Sequence, residues 1–187
     1  MAVATVETHR WTREEYERLA AKGFFAPDRK VELVEGVIYD MAPQNSPHAT
    51  ALHLSQEALR SVFPPGSGYV VRCQSPLALG EDSEPEPDLA VVSGSIRDYG
   101  DHHPTTALLV LEIADSSLFH DRKRKIPLYA RTGIPEAWLL NLARRTLEVY
   151  RDPAGGAYQT RTVLRTGDSV SPLNRPDRSI PVAELLP

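Results

Sequence analysis

Two carboxylates and a lysine in the middle of the chain are the residues whose types and spacing could support chemistry. Asp88 begins the apolar run 88–92, and Glu112 interrupts a second apolar run, 108–113. Both are therefore expected on largely buried strands, where an unpaired carboxylate is costly. Two hard oxygen donors on neighbouring strands suit a magnesium-type cation, and Lys125 follows on a predicted helix. This combination indicates metal-dependent phosphodiester chemistry.

Each of these residues has a specific chemical role in that interpretation. A cation held between Asp88 and Glu112 would polarise a phosphate and lower the pKa of a bound water from ~15.7 toward ~7. Lys125 would stabilise the transition state by roughly 2.7 to 4 kcal/mol, as a single donor does. Asp121 precedes Lys125 by four residues, so the two share one face of a helix and Asp121 can orient the lysine. His48, at a predicted helix start, can face a phosphate, cap the helix or simply lie on the surface.

The spacing is explained equally well without any chemistry. Asp88 follows a proline and can cap a turn, Glu112 can end a strand, and the basic run 122–125 can form a solvated helix face. Glu32 is more ambiguous, because alternation in a half-exposed hairpin accounts for a lone glutamate. Spacing alone therefore leaves both a metal site and a purely structural arrangement open.

Length and composition predict one domain covering residues 1–187. The chain has 187 residues, 41% of them hydrophobic, which is enough for one buried core and short for two. Cys73 is the only cysteine, so an intrachain disulfide is excluded and a reducing, cytoplasmic location is expected. No segment approaches the ~20 apolar residues of a membrane span, and the N-terminus lacks a signal-peptide pattern. We therefore expect a soluble protein with no membrane partner.

The charge distribution leaves nucleic-acid binding open. A formal net charge of -4 argues against a protein that holds nucleic acid by bulk electrostatics. Basic residues are nevertheless grouped, in the run 122–125, at Arg144 and Arg145, and at Arg161 and Arg165. A divalent cation in the acidic cluster would also make the local charge less negative than the total.

Periodicity and turn signals predict an α/β (α+β) chain with one mixed β-sheet flanked by helices. Helices are expected over 12–22, from residue 46, and over 121–132, where Pro127 requires a kink or a late start. Strands are expected as a hairpin within 31–41, then at 69–79, 88–92, 107–114, 136–142, 146–151 and 158–164. The strands from 69 to 114 suggest an antiparallel meander. Trp138, Tyr129 and Tyr150 are expected in the core.

Several segments resemble, in the same order, the Uma-type family of restriction endonucleases. They are Glu-Leu-Val-Glu-Gly at 32–36, Met-Ala-Pro at 41–43, Pro-His at 47–48, Glu-Pro-Asp-Leu-Ala-Val-Val at 86–92, Leu-Glu-Ile-Ala-Asp-Ser-Ser at 111–117, Asp121 with Lys125, and 128–138. That family is similar to the PD-(D/E)XK nuclease superfamily. The resemblance implies a restriction endonuclease-like single domain with a core at about 12–151 and a C-terminal strand and tail at 152–187.

The resemblance also assigns roles to individual residues. It implies that Asp88 is the motif aspartate, that Glu112 is the second metal carboxylate, and that Glu32 is a further acidic member of the site, with Mg²⁺ or Mn²⁺ as the cofactor. In the wider superfamily the lysine lies two residues after the second carboxylate, but Ala114 occupies that position here. Lys125 would then be its replacement from the following helix.

These observations lead to one main hypothesis and two others. The main hypothesis is a Mg²⁺-dependent endonuclease that hydrolyses phosphodiester bonds in DNA and acts as a homodimer or larger homo-oligomer, since cutting both strands requires two sites. The alternative is a non-catalytic nucleic-acid-binding or regulatory module that keeps the nuclease fold. A structural or mobile-element accessory protein, the third hypothesis, would bind neither metal nor DNA.

Overall fold

The computed structural model describes residues 8–187. In chain order its helices and strands are α1 (Arg13–Ala21), β1 (Val31–Val34), β2 (Val37–Asp40), α2 (Ser46–Val62), β3 (Tyr69–Cys73), β4 (Leu89–Ser93), β5 (Leu109–Ala114), α3 (Leu118–His120), α4 (Ile126–Arg131), β6 (Glu136–Asn141), β7 (Thr146–Ala154), β8 (Ala157–Arg165), β9 (Ser169–Val170) and β10 (Ile180–Pro181). A π-helical turn, Asp121–Lys125, joins α3 to α4. Residues 1–7, for which the sequence predicted no signal peptide, lie outside the described part. Within residues 8–187, no helix has both the length and the apolar character that crossing a membrane requires.

Six strands form one mixed sheet in the order β3-β4-β5-β6-β7-β8. Strands β3, β4 and β5 form the predicted antiparallel meander, whereas β5 and β6 are parallel. A parallel pair needs a crossover connection, which α3, the π-helical turn and α4 provide; these residues, 118–131, are called the crossover helix below. Strands β1 with β2 and β9 with β10 form two small separate sheets. The predicted mixed sheet flanked by helices is therefore confirmed.

The register of the central strands brings two of the candidate residues together. Leu89 of β4 pairs with Leu111 of β5 in antiparallel register. Continuing this register by one residue places Asp88, just before β4, opposite Glu112. Both carboxylates therefore lie near the end of β5 from which the chain enters the crossover helix.

Buried apolar side chains cover both faces of this sheet. On the first face, Trp138 belongs to a core that includes residues of α2 and of the C-terminal segment 180–186. On the second face, Tyr129 of the crossover helix and Tyr150 of β7 belong to another core. Glu112 alternates along β5 with residues of the first core, so its side chain points to the second face, toward the crossover helix. The predicted core positions of the three aromatic residues are confirmed.

Two predicted elements have different bounds in the structure. The strand predicted over 69–79 ends at Cys73, because Gln74 has a left-handed φ of 44° that an extended strand cannot include. The helix predicted over 121–132 begins earlier, at Leu118, and the kink expected at Pro127 takes the form of the π-helical turn. Proline has no N–H to donate to the carbonyl four residues before it, so the regular hydrogen-bond ladder is interrupted in this turn.

Glu84 is a buried carboxyl group whose backbone pairs with Leu33 of β1. Burial, together with the neighbouring carboxylate of Glu17, raises the pKa of Glu84 from 4.5 to about 7. The folded protein therefore holds this proton more tightly than the unfolded chain does. The stability that Glu84 contributes is fully present below pH 4.5 and is lost as the pH rises to about 7.

We expect Glu84→Gln to remove this part of the pH dependence, because glutamine does not ionise. The free energy of unfolding, measured by urea titration at about pH 5 and about pH 8, should fall less in the variant than in the wild type between the two conditions. Glu14→Gln, at an exposed position of α1, is the matched control. If Glu84→Gln and Glu14→Gln gave the same pH profile, the burial of Glu84 would not be the cause.

Candidate functional site

All six residues singled out from the sequence line one cavity of about 300 Å³ at the end of β5. These residues are Glu32, His48, Asp88, Glu112, Asp121 and Lys125. They come from five separate parts of the fold: β1, α2, the residue before β4, β5 and the crossover helix. The cavity is also lined by residues that the sequence did not single out, among them Tyr39, Gln74, Glu86 and His120.

Asp88 is held by three donors from three different elements. The backbone N–H of Ile113 donates to Oδ2 at 2.8 Å, and the side-chain amide of Gln74 donates to Oδ1 at 3.2 Å. His48 Nε2 lies 3.3 Å from Oδ2, and the hydrogen bond with Asp88 raises the pKa of His48, although burial opposes the shift. These contacts fix the orientation of the Asp88 carboxylate at the wall of the cavity.

Lys125 is a buried ammonium group between two carboxylates. Its Nζ lies 2.9 Å from Oε1 of Glu112 and 3.2 Å from Oε2 of Glu32, and the side chain of Lys125 is 4% exposed. Nζ also donates to the backbone carbonyl of Glu86 at 3.4 Å. Burial lowers the pKa of Lys125, but the negative charges of Glu112, Glu32 and Asp121 outweigh burial and raise the pKa well above its ordinary value. Lys125 is therefore a fixed positive charge at neutral pH.

Glu112 is the most deeply buried carboxyl group of the cluster. Its Oε1 accepts hydrogen bonds from the Tyr129 hydroxyl and from Lys125. Burial raises the pKa of Glu112 to about 8. The negative charges of the neighbouring carboxylates also raise this pKa, whereas the positive charge of Lys125 lowers it. In the absence of a further cation, this carboxyl group holds its proton more tightly than an ordinary glutamate does.

Glu32 differs from Glu112 in its ionisation. Burial raises the pKa of Glu32, but the positive charge of Lys125, the close contact with His120 and the hydrogen bond from the Glu86 backbone outweigh burial and lower the pKa to about 2. The Glu86 N–H donates to Oε2 at 3.1 Å, and His120 Nε2 lies 3.4 Å from Oε1. The predicted hairpin is present, but the alternative that Glu32 is simply a half-exposed hairpin residue does not hold, because all four residues of β1 are buried. Glu32 therefore acts as an ionised partner of Lys125.

Asp121 and Lys125 are the two buried residues of the π-helical turn. The Ser117 hydroxyl donates to Oδ2 of Asp121 at 2.6 Å. Burial raises the pKa of Asp121, while the charge of Lys125 opposes the shift. The ammonium group of Lys125 is positioned by Glu32 and Glu112. Asp121 adds a further carboxyl group to the lining of the cavity.

Three further residues of the site were not assigned a role from the sequence. His120 contacts Glu32 and packs edge-on against Tyr39, with ring centroids 4.6 Å apart; its position next to Asp121 was the only signal. Tyr129 is in the core as predicted, and its spacing of four residues from Lys125 could have shown that both face Glu112. Gln74 reaches Asp88 through its left-handed turn, which no sequence pattern indicated.

The chemistry of the donor set fits Mg²⁺. Six acidic residues line the cavity together with one lysine and two histidines. Mg²⁺ prefers oxygen donors and is commonly held by one or two carboxylates together with water and substrate phosphate, and the opposed Asp88 and Glu112 provide two. Across residues 8–187, no group of three or more His, Cys, Asp or Glu side chains is arranged to hold a metal ion. The position of Lys125 explains why these carboxylates do not form such a group, because its ammonium group lies between Glu32 and Glu112.

Comparisons with known proteins identify the family and the fold of this chain. The family model Uma2, described as "putative restriction endonuclease", matches residues 13–183, and so includes most of the C-terminal segment beyond residue 151. The fold is similar to the crystal structure of a "putative nuclease belonging to DUF820" from Anabaena variabilis ATCC 29413, with a TM-score of 0.74. That similarity covers 94% of this chain and 97% of that chain at 18% sequence identity, and it shows the shared fold alone. No curated protein matches this chain.

Proposed function

The chain belongs to the Uma2 family, and from this membership we propose that it is a Mg²⁺-dependent endonuclease that hydrolyses phosphodiester bonds in DNA. The observation that carries the proposal is the buried ammonium group of Lys125, held between two carboxylates in a cavity lined by six acidic residues. A structural ion pair needs only one carboxylate for one lysine. The surplus of negative charge suits a site that binds a divalent cation together with a phosphate.

Asp88 and Glu112 are the residues that we propose as ligands for the cation. When bound there, Mg²⁺ would polarise the phosphate and lower the pKa of a coordinated water. The support for Asp88 is its fixed orientation, since Ile113, Gln74 and His48 hold both of its oxygens. Glu32 is the further acidic member of the site, and its main contact in the structure is with Lys125.

The role of Lys125 follows from its charge. In phosphodiester hydrolysis a water oxygen attacks phosphorus, the bond to the leaving sugar oxygen breaks, and negative charge builds on the non-bridging oxygens. Because the pKa of Lys125 is raised above its ordinary value, the side chain cannot act as a base near neutral pH. It stabilises the developing charge instead, and the fixed position of Nζ means that little reorganisation is needed as the charge develops.

A non-catalytic nucleic-acid-binding module is the second candidate function. It is favoured by one observation, the absence of a ready three-ligand metal group among residues 8–187. In such a module the Lys125 ion pairs would serve only to stabilise the fold. Binding of DNA without metal-dependent cleavage would support this candidate.

The direct test is cleavage of supercoiled, linear duplex and single-stranded DNA by the purified protein. We expect cleavage with Mg²⁺ or Mn²⁺ and complete loss of cleavage when EDTA removes the metal. Without the cation, nothing polarises the phosphate or lowers the pKa of the attacking water. Restoring excess Mg²⁺ should restore the rate and exclude damage by the chelator. If the metal-loaded protein leaves every form of DNA intact, the proposal of a nuclease fails. Sedimentation of the active species would show whether a homodimer or larger homo-oligomer cuts, as we propose for cleavage of both strands.

A further inference from the structure

Two arginines outside the acidic cavity share one buried glutamate. Arg122 donates to Glu148 through Nε at 3.3 Å and also through Nη2, and Arg161 Nη2 lies 3.0 Å from Oε2 of Glu148. The Glu148 side chain is 3% exposed, whereas those of Arg122 and Arg161 are 32% and 49% exposed. The Tyr150 hydroxyl also donates to Glu148. Two like charges are thus held side by side at the surface by a carboxylate beneath them.

The register of the sheet places this arginine pair beside the candidate active site. Glu112 of β5 pairs with Leu139 of β6, which in turn pairs with Glu148 of β7. Paired residues on neighbouring strands point to the same face, so Glu112 and Glu148 lie on one face, two strands apart. At ~4.8 Å per strand this separation is ~10 Å. Arg122 follows Asp121 in the π-helical turn, and it contacts Glu148 while Asp121 lines the cavity.

The positive charge continues from this pair across the edge of the sheet. Val163 of β8 pairs with Glu148, so Arg161 and Arg165, two residues to either side of Val163, share its face. The turn between β6 and β7 adds Arg144 and Arg145 at the same end of the sheet. A groove of about 500 Å³ is lined by Arg144, Arg145, Glu148, Arg161, Val163 and Arg165, among others. The groove and Arg122 together contain five arginines and one glutamate, in a chain whose net charge is -4.

We propose that these five arginines, called the arginine strip, bind the phosphate backbone of the nucleic acid on one side of the scissile phosphate. This inference rests on the proposed nuclease function. A guanidinium group has five N–H donors, and those not used by Glu148 remain available to a phosphate. Because Glu148 already orients the heads of Arg122 and Arg161, less side-chain freedom is lost when the phosphate binds. A distance of ~10 Å corresponds to about three nucleotides along B-DNA at ~3.4 Å each.

The experiment is the salt dependence of duplex binding, measured by fluorescence anisotropy in EDTA so that no cleavage occurs. The test variant is Arg161→Gln with Arg165→Gln. Each phosphate contact contributes ~0.9 to the slope of log affinity against log salt concentration, so losing two contacts should reduce the slope by ~1.8. Between ~50 and ~200 mM salt, the wild type should then lose ~12-fold more affinity than the variant.

The control removes the same amount of charge from elsewhere on the surface. Arg18→Gln with Arg178→Gln changes two exposed arginines, one on α1 and the other in the C-terminal segment, each of which forms an ion pair with an exposed acidic residue. This control should keep the wild-type slope. A second test variant, Arg144→Gln with Arg145→Gln, leaves the contacts of Glu148 intact and should also reduce the slope, so an effect of Arg161 on folding cannot produce the result alone.

The outcomes separate this inference from the nuclease proposal. A reduced slope in both test variants with an unchanged control supports the arginine strip, even if the protein never cuts DNA. Metal-dependent cutting together with equal slopes in all the proteins overturns the strip and leaves the nuclease proposal standing. The strip is also overturned if the control loses slope as much as the test variants do, or if the wild type does not bind duplex at ~50 mM salt.

Discussion

Lys125→Met should reduce the rate of metal-dependent DNA cleavage by roughly 10²- to 10³-fold, the effect of removing one preorganised donor from a transition state. Methionine keeps most of the length and apolar volume of the buried side chain but carries no charge. The ammonium group that lies 2.9 Å from Glu112 and 3.2 Å from Glu32 is then lost. Single-turnover cleavage at saturating Mg²⁺ measures the chemical step and separates it from DNA binding.

The same substitution should also lower the free energy of unfolding. Removing one partner of a buried ion pair typically costs about 3–5 kcal/mol, because the remaining charge is left uncompensated. Adding Glu112→Gln to Lys125→Met removes one of the two carboxylates that have lost their ion-pair partner, so the free energy of unfolding should partly recover. Cleavage should stay lost, since neither the lysine nor the proposed ligand returns. Urea unfolding of the two variants therefore separates the structural role of Lys125 from its catalytic role.

Lys123→Met is the matched control for this prediction. Lys123 is exposed in the same π-helical turn, so the chemical change and the local backbone are the same. We expect its cleavage rate and stability to stay close to those of the wild type. A Lys125→Met protein that is folded and cuts at the wild-type rate would show that Lys125 is only a structural residue.

The apolar runs around Asp88 and Glu112 were enough to predict two adjacent carboxylates, because strand burial is encoded locally in a sequence. Three strands in succession, with no predicted helix between them, then suggested antiparallel pairing, and the structure confirms a meander there. The role of Lys125 could be stated only as a possibility from spacing, since its contact with Glu112 depends on how the crossover helix packs on the sheet. The resemblance to a family supplied that long-range information.

The residues that sequence reasoning missed depend on local backbone geometry that side-chain patterns do not encode. Gln74 looked like part of a strand, yet its φ of 44° ends β3 and turns its amide toward Asp88. His120 lies in a crossover helix whose start was predicted at Asp121, so its side chain had no assigned face. Glu32 was named from the sequence as an acidic member of the site, but its burial was not predicted, because a half-exposed hairpin explained a lone glutamate equally well; all four residues of β1 are buried.

Asp88→Asn should abolish metal-dependent cleavage while leaving the metal-free fold nearly as stable as the wild type. The amide oxygen of asparagine can still accept the hydrogen bond from Ile113, and the Gln74 amide can rotate to accept from the new NH₂ group. What is lost is a negative oxygen donor at the proposed metal site. Lys125→Met should therefore destabilise the metal-free protein far more than Asp88→Asn does.

The free energies of unfolding of the wild type and of Asp88→Asn should diverge when Mg²⁺ is added. A ligand at 100 times its Kd stabilises a folded protein by about 2.7 kcal/mol if it does not bind the unfolded chain. We expect this gain for the wild type and for Asp177→Asn, an exposed control in the C-terminal segment, but a much smaller gain for Asp88→Asn. Urea unfolding across a Mg²⁺ titration gives this result without any assay of cleavage. Equal stabilisation of all three proteins by Mg²⁺ would place the metal elsewhere, because a site that includes Asp88 cannot bind the cation equally well without its charge.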